Sequence, residues 1–242
     1  MRSYIFPGLL ILLVSFSACK NDSVEGLHNA FAAFDADNVS VTVDGDEYVI
    51  ETNGWPNHTS PYWSDGHALD IDPVVTSTQA MAPGDIDNFN GTYTLRVSTS
   101  PQRAASTSAT GLGPIGIAVS GAVIYNDLEG PGNPIDDAIV SLDYTGAHTG
   151  PNSYHYHIEP KAWSDDDDEL IGIMSDGFFI YGRRCNSTGG YPTDLDASGG
   201  HTSTTQHTSV EEYHYHIQNE VYLNQYYLIF PDDYQGTPSD IR

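Results

Sequence analysis

Basic residues are scarce in this chain of 242 residues: 8 Lys and Arg stand against 33 Asp and Glu, for a formal net charge of −25 at pH 7. A surface this acidic repels phosphate backbones and anionic headgroups, which excludes nucleic acid as a partner. It draws cations from a distance, but salt screens that attraction, so the charge alone does not make a cation site. Cysteine is almost absent, with only Cys19 and Cys185. No stretch after residue 40 keeps a helical period. The Gly-rich phosphate loop, the nucleophile elbow and the H-E-x-x-H helix are missing, which removes nucleotide hydrolysis, the usual esterase layout and the zincin layout.

The one long apolar run is N-terminal. Arg2 precedes the stretch from Ile5 to Ser17, broken only by Pro7, Gly8 and Ser15. It is too short to span a bilayer comfortably and has the form of an export signal. It ends in Phe16-Ser17-Ala18-Cys19, with small residues before a cysteine as in a bacterial lipobox. The expectation is a signal over 1–19 with Cys19 as lipid acceptor, and hence an exported lipoprotein of the cell envelope, attached to the membrane through its lipid. With Cys19 lipidated, only Cys185 remains, and no internal disulfide can form.

Residues 20–38 read as a tether with some helical character near Leu27 to Phe34. From Val39 the pattern is β. Val39, Val41 and Val43 alternate with polar residues, Asp44-Gly45 gives a turn, and Tyr48 to Thr52 returns. Further strand-like runs are 92–98, 114–125, 138–144, 153–158, 170–181, 212–217 and 222–230, separated by Gly, Pro, Asn, Asp and Ser. The expected fold is mainly β, a single compact domain over 39–242.

Within it the same unit occurs twice, over about 114–158 and 170–217. Pro114-Ile115-Gly116-Ile117-Ala118-Val119-Ser120-Gly121 leads to Ile124-Tyr125, and Leu170-Ile171-Gly172-Ile173-Met174-Ser175-Asp176-Gly177 leads to Ile180-Tyr181. An Asp-x-x-Gly-x-His element follows at Asp143 to His148, and its counterpart runs from Asp196 to His201. Each copy closes on Tyr-His-Tyr-His-Ile, at 154–158 and 213–217.

On a strand, side chains alternate faces, so His155 and His157 point one way and Tyr154 and Tyr156 the other. His214 and His216 repeat this against Tyr213 and Tyr215. Two imidazoles on one strand face can chelate one ion. Duplication could bring both pairs to one site, with His148, His201, Asp143 and Asp196 as further ligands or orienting groups. Imidazole-rich sites suit zinc or copper first, with iron or nickel next, and argue against magnesium and calcium. His58, in the shaped loop Asn53-Gly54-Trp55-Pro56-Asn57-His58, joins the ligand candidates, whereas His67 and His207 have weaker claims. Two alternatives stay open for the histidines: a structural polar network, and acid–base chemistry without metal. Cys185, beside Arg183 and Arg184, is read as a buried inert thiol, and Asp165 to Glu169 as a solvated loop.

These motifs resemble the YHYH proteins, a bacterial group called after the tetrapeptide at 154–157 and 213–216. Asn53 to His58 matches that family's Asn-Gly-x-Pro-x-His loop, and Asp176 to Gly182 its Asp-Gly-Phe-x-Ile-Tyr-Gly element. The resemblance extends over roughly 48–236 and implies an exported setting but no reaction. In the first copy, Ser120-Gly121-Ala122 replaces the Asp-Gly-aromatic turn, so only Asp176 can supply that aspartate.

Three functions follow. The first is transition-metal binding, as carrier or enzyme, with Asp176, Asp143 or Asp196 as candidate acid or base. The second is a non-catalytic module recognising a glycan or small molecule through exposed aromatics. The third is a metal-independent His/Asp hydrolase, which needs a histidine within reach of both a carboxylate and a nucleophile.

Overall fold

The computed structural model describes residues 26–73, 81–89, 91–150 and 153–242; the expected export signal and Cys19 lie outside them. The hairpin read at Asp44-Gly45 joins β1 (Val39–Asp44) to β2 (Glu47–Thr52), and β3 (Tyr93–Ser98) adds to β2 to complete an antiparallel three-stranded sheet. A hairpin of β4 (Gly116–Ala118) and β5 (Val123–Ile124) follows, then a two-stranded ribbon of β6 (Leu128–Glu129) and β7 (Asn133–Pro134). The rest of the chain supplies β8 (Ala147–Gly150), β9 (Ser153–Tyr156), β10 (Leu170–Met174), β11 (Phe179–Tyr181), β12 (Gly200–Ser203) and β13 (Glu212–His216).

Eight of these strands make one sheet in the order β12-β13-β11-β10-β4-β5-β9-β8. The antiparallel β4–β10 pair forms its centre, and the pairings are the same outward on both sides. β4 pairs antiparallel with β5 and β10 with β11; β5 pairs parallel with β9 and β11 with β13; β8 pairs antiparallel with β9 and β12 with β13. Tyr154 and Tyr156 are fully buried in a core cluster with Ile124, Ile171, Ile180 and Tyr215. The opposite face carries Ile117, Ile173, Phe179 and Tyr181, which pack with Ile50, Leu95 and Val97 of the three-stranded sheet. The fold is therefore mainly β and compact.

Three expectations are corrected. Residues 138–144 are not a strand: Ile135–Ser141 form a 3-10 helix, with Asp136 and Asp137 in its first turn where the helix dipole favours acids. Residues 222–230 form no named strand and make only isolated bridges, Tyr222 with Tyr226 and Leu228 with Ile158, because Leu223 and Asn224 turn the chain at positive φ. The described part of the supposed tether is packed. Asn29–Ala33 form a 3-10 turn, Ala30, Phe31 and Phe34 are buried in the second cluster, and Asp35 N donates to the Val119 carbonyl. Among the described residues no helix is long and apolar enough to cross a membrane.

Candidate metal centres

The alternation of faces holds, and it places two clusters of ligand atoms. His148 on β8 is the cross-strand partner of His155 on β9, and His201 on β12 is the partner of His214 on β13. Two turns set that register. Asp143 Oδ1 accepts from Thr145 N and Asp196 Oδ1 from Ser198 N, and each turn closes on a glycine, Gly146 or Gly199, at φ of +82° and +72°. Only glycine adopts that conformation without strain.

The first cluster joins Glu129, His148, His155 and His157; the second joins Cys185, His201, His214 and His216. In each, one ligand atom per residue lies within 4.8 Å of all the others. One ion shared by both histidine pairs is ruled out. β9 and β13 are separated by β11, β10, β4 and β5, and at about 4.8 Å per step the pairs stand roughly 24 Å apart along the sheet.

The ring nitrogens that face away from the clusters are held. His157 Nδ1 donates to the Asn126 carbonyl at 2.6 Å, and His216 Nδ1 to the Gly182 carbonyl at 2.7 Å. His214 Nδ1 donates to the Glu212 carbonyl at 3.0 Å, and His201 Nδ1 to Asp194 Oδ1 at 2.9 Å. Ser141 Oγ donates to the Ala138 carbonyl and so accepts from His148 Nδ1, at 2.6 Å. His155 has only a long contact at Nδ1, 3.4 Å from Ser153 Oγ, and is held instead by stacking on Tyr125 and by His148 Nε2 at 2.9 Å from its own Nε2. A proton fixed on Nδ1 leaves Nε2 as a lone pair aimed into the cluster, the tautomer a metal requires.

Those lone pairs crowd together. Glu129 Oε1 lies 2.9 Å from His148 Nε2 and 3.2 Å from His157 Nε2, yet Glu129 Oε1, His157 Nε2 and His216 Nε2 are buried without a hydrogen-bond partner. A metal ion or a shared proton would relieve acceptors that close and facing, and His148 Nε2 and His155 Nε2 already lie at hydrogen-bond distance, 2.9 Å. In the second cluster Cys185 Sγ lies 3.6 Å from His201 Nε2. That matches the sulfur–nitrogen edge of a zinc tetrahedron, about 3.6 Å from bond lengths of about 2.3 and 2.05 Å. Burial alone would push the Cys185 thiol up, but hydrogen bonds from Ser187 and Ser203 outweigh it and bring it below its ordinary value, toward the thiolate a metal takes. Cys185, read as inert, thus belongs to a cluster.

Glu129 carries no signal in its own neighbourhood. It stands four residues after Tyr125, as Cys185 stands four after Tyr181, so extending the alignment of the two units past Ile-Tyr would have found both.

The other candidates lie elsewhere. Asp143 accepts from Ser60 Oγ and Tyr154 OH, both at 2.6 Å, Asp196 accepts from Tyr213 OH and Arg103, and Asp176 accepts from Tyr215 OH and Gly236 N. All three aspartates anchor the tyrosine face, opposite the imidazoles, and do not orient them. Burial pushes the Asp176 carboxyl up. In the first half Ser120 takes the place of Asp176: its Oγ lies 2.8 Å from Tyr156 OH. His58 Nε2 fills the rest of that hydroxyl's capacity at 2.6 Å, so His58 is part of the tyrosine network and joins neither cluster. His67 stacks on Trp63, and His207 reaches Tyr181 OH. The acidic run is not freely solvated: Asp166 pairs with Arg183 and Arg184, and Asp167 accepts from Ser164.

Desolvation pushes His214 down to about 3, with His216 and His201 adding to the effect, and His216 down to about 4, with His201 adding to it. The unfolded chain takes up these protons near the ordinary pKa of about 6.5. Stability is therefore complete above that value and is lost as pH falls toward 4. The metal-free protein should lose about 2 kcal/mol per histidine between pH 7 and pH 5. Urea midpoints at the two pH values check this, and equal midpoints would sink it.

No curated protein and no solved structure matches this chain. The span matched by a family contains the first cluster and Cys185 but stops before His201, His214 and His216. Over residues 94–193 the chain matches the model of the family described as YHYH protein.

Proposed function

We propose that this chain is an exported lipoprotein that binds two transition-metal ions, one in each cluster, zinc or copper before iron or nickel. The observation that carries the reading is the tautomer: five of six clustered imidazoles donate through Nδ1 and turn Nε2 inward, and among the described residues the buried Nε2 of His157 and of His216 has no hydrogen-bond partner. Four ligands complete a tetrahedron in both clusters, which favours holding a metal over catalysis at it. The two halves of the eight-stranded sheet are copies of one unit, supported by their matching strand order, by Gly146 and Gly199, and by Glu129 and Cys185 at the same offset. Export and lipidation rest on the N-terminal sequence.

The hydrolase alternative has one constellation in its favour. Ser141 Oγ, His148 and Glu129 form a chain of contacts at 2.6 and 2.9 Å. Against it, the Ser141 proton is committed to Ala138, Asp194 replaces the serine beside His201, and two further imidazoles converge on the same carboxylate. A recognition role has a cavity of 430 Å³ walled by Tyr48, Phe178, Phe179 and Tyr213, with Arg103 and Glu212 at its polar positions.

The test is metal content by mass spectrometry on protein purified without a histidine tag. Wild type should carry about two equivalents, H155A/H157A and H214A/H216A about one each, and the quadruple variant none. Wild type that stays empty after exposure to zinc, copper, iron and nickel would overturn the reading.

A further inference from the structure

The two clusters differ in their fourth ligand and in how that ligand is held. Cys185 is fully buried, while the Glu129 side chain keeps 29 % of its surface exposed. A thiolate binds zinc or copper as a soft, tight ligand, and a carboxylate is harder and exchanges more readily with water. The surroundings reinforce the difference. Asn186, next to Cys185, donates to Asp168, and the Arg184 guanidinium donates to both the carboxylate and the backbone carbonyl of Asp166. Cys185 N also bridges to the Gly190 carbonyl at 2.8 Å. The segment is pinned on both sides of the sulfur.

Glu129 instead ends β6 and opens the turn to β7, and residues 130–134 are all exposed. The backbone bonds of this ribbon stay within its own neighbourhood: Gly132 N to the Glu129 carbonyl and Ile135 N to the Asp127 carbonyl. Among the described residues the carboxylate's polar contacts are with the imidazoles alone. The three histidines behind it are buried, so the Glu129 side is the one from which solvent meets the cluster.

We propose that the two sites divide the work: the Cys185 site retains its ion, and the Glu129 site exchanges its ion with solution, the carboxylate swinging out to open one coordination position. Water or an external oxygen ligand takes that position before the ion leaves the three imidazoles. This rests on the two-ion reading given above.

The full chain, loaded with zinc and desalted, is mixed with excess chromogenic chelator and zinc transfer is followed in time. Two phases of one equivalent each are expected, at least about tenfold apart in rate. In E129A the fast equivalent should be missing from the loaded protein while the slow phase is unchanged. In C185S the slow equivalent should speed up by at least about tenfold. As a readout independent of folding in the variants, alkylation of Cys185 in wild type, followed by mass, should keep pace with the slow phase and not the fast one. Release of both equivalents in one phase, a fast phase that survives in E129A, or alkylation that tracks the fast phase would overturn the division. Fewer than two equivalents bound at the start would instead bring down the two-ion reading itself.

Discussion

Removing metal with a chelator at neutral pH is expected to lower the thermal midpoint by about 8–16 °C per site, relative to protein kept in free metal at about a thousand times its Kd. Such an excess adds about 4.1 kcal/mol for each site present only in the folded state. In a chain of this size a kilocalorie moves the midpoint by about 2–4 °C. The response should be halved in H155A/H157A and in H214A/H216A, and absent in the quadruple variant. The sheet explains why the loss is large. Both clusters sit on its outermost strand pairs, β8–β9 and β12–β13, and tie them to the loops that hold Glu129 and Cys185. A midpoint indifferent to chelator and to excess metal would end the argument, because ligands assembled only in the folded state cannot gain an ion without changing stability.

The second large effect lies away from metal. Arg183 and Glu159 are both almost wholly buried, with the Arg183 Nε 3.1 Å from Glu159 Oε2 and its guanidinium 3.8 Å above the Tyr227 ring. Arg183→Ala strands a carboxylate that Ser164 and Asp166 N also contact but cannot neutralise. The expected cost is about 3–5 kcal/mol. Much of it should return in R183M/E159Q, which removes both charges and keeps the volume. The exposed Lys161–Asp165 pair is the control: K161A should change stability by less than about 1 kcal/mol. Urea unfolding of the four proteins measures all of this. Equal losses in R183A and R183M/E159Q would mean that packing on Tyr227, and not charge, is what Arg183 supplies.

Much of the fold was legible because strand alternation is a local property. The turn at Asp44-Gly45, the buried Tyr154 and Tyr156, and the common face of His155 and His157 all follow from a period of two residues. Strand order is not local. A Tyr-His-Tyr-His sequence dictates which face its imidazoles take but not which neighbour the strand finds, so the sequence leaves open whether the two pairs share one ion or hold one each. The misread segments have similar causes. Ile139 and Val140 suit a strand by propensity, but the acidic first turn and the packing of Ile135 draw them into a 3-10 helix. Ala30, Phe31 and Phe34 in the supposed tether are spaced to cover one patch of the sheet, a pattern too short to stand out. The fourth ligands were hidden because Glu129, at the end of β6, and Cys185 sit in otherwise unrelated sequence.

The scarcity of cysteine gains a different meaning beside the clusters. Cys185 is free, and disulfides are the cross-links usual in proteins of oxidising compartments, the setting proposed above. An ion in the first cluster would join residues 129 and 157, and one in the second would join 185 and 216. Each closes a loop of about thirty residues, a length for which a disulfide limits the unfolded chain by roughly 3–4 kcal/mol. With metal bound, the protein is a cross-linked polymer whose links open to protons and chelators and are indifferent to thiol reductants. Its durability would then be set by the metal supply and acidity of its surroundings, where a disulfide-bonded neighbour answers to redox potential.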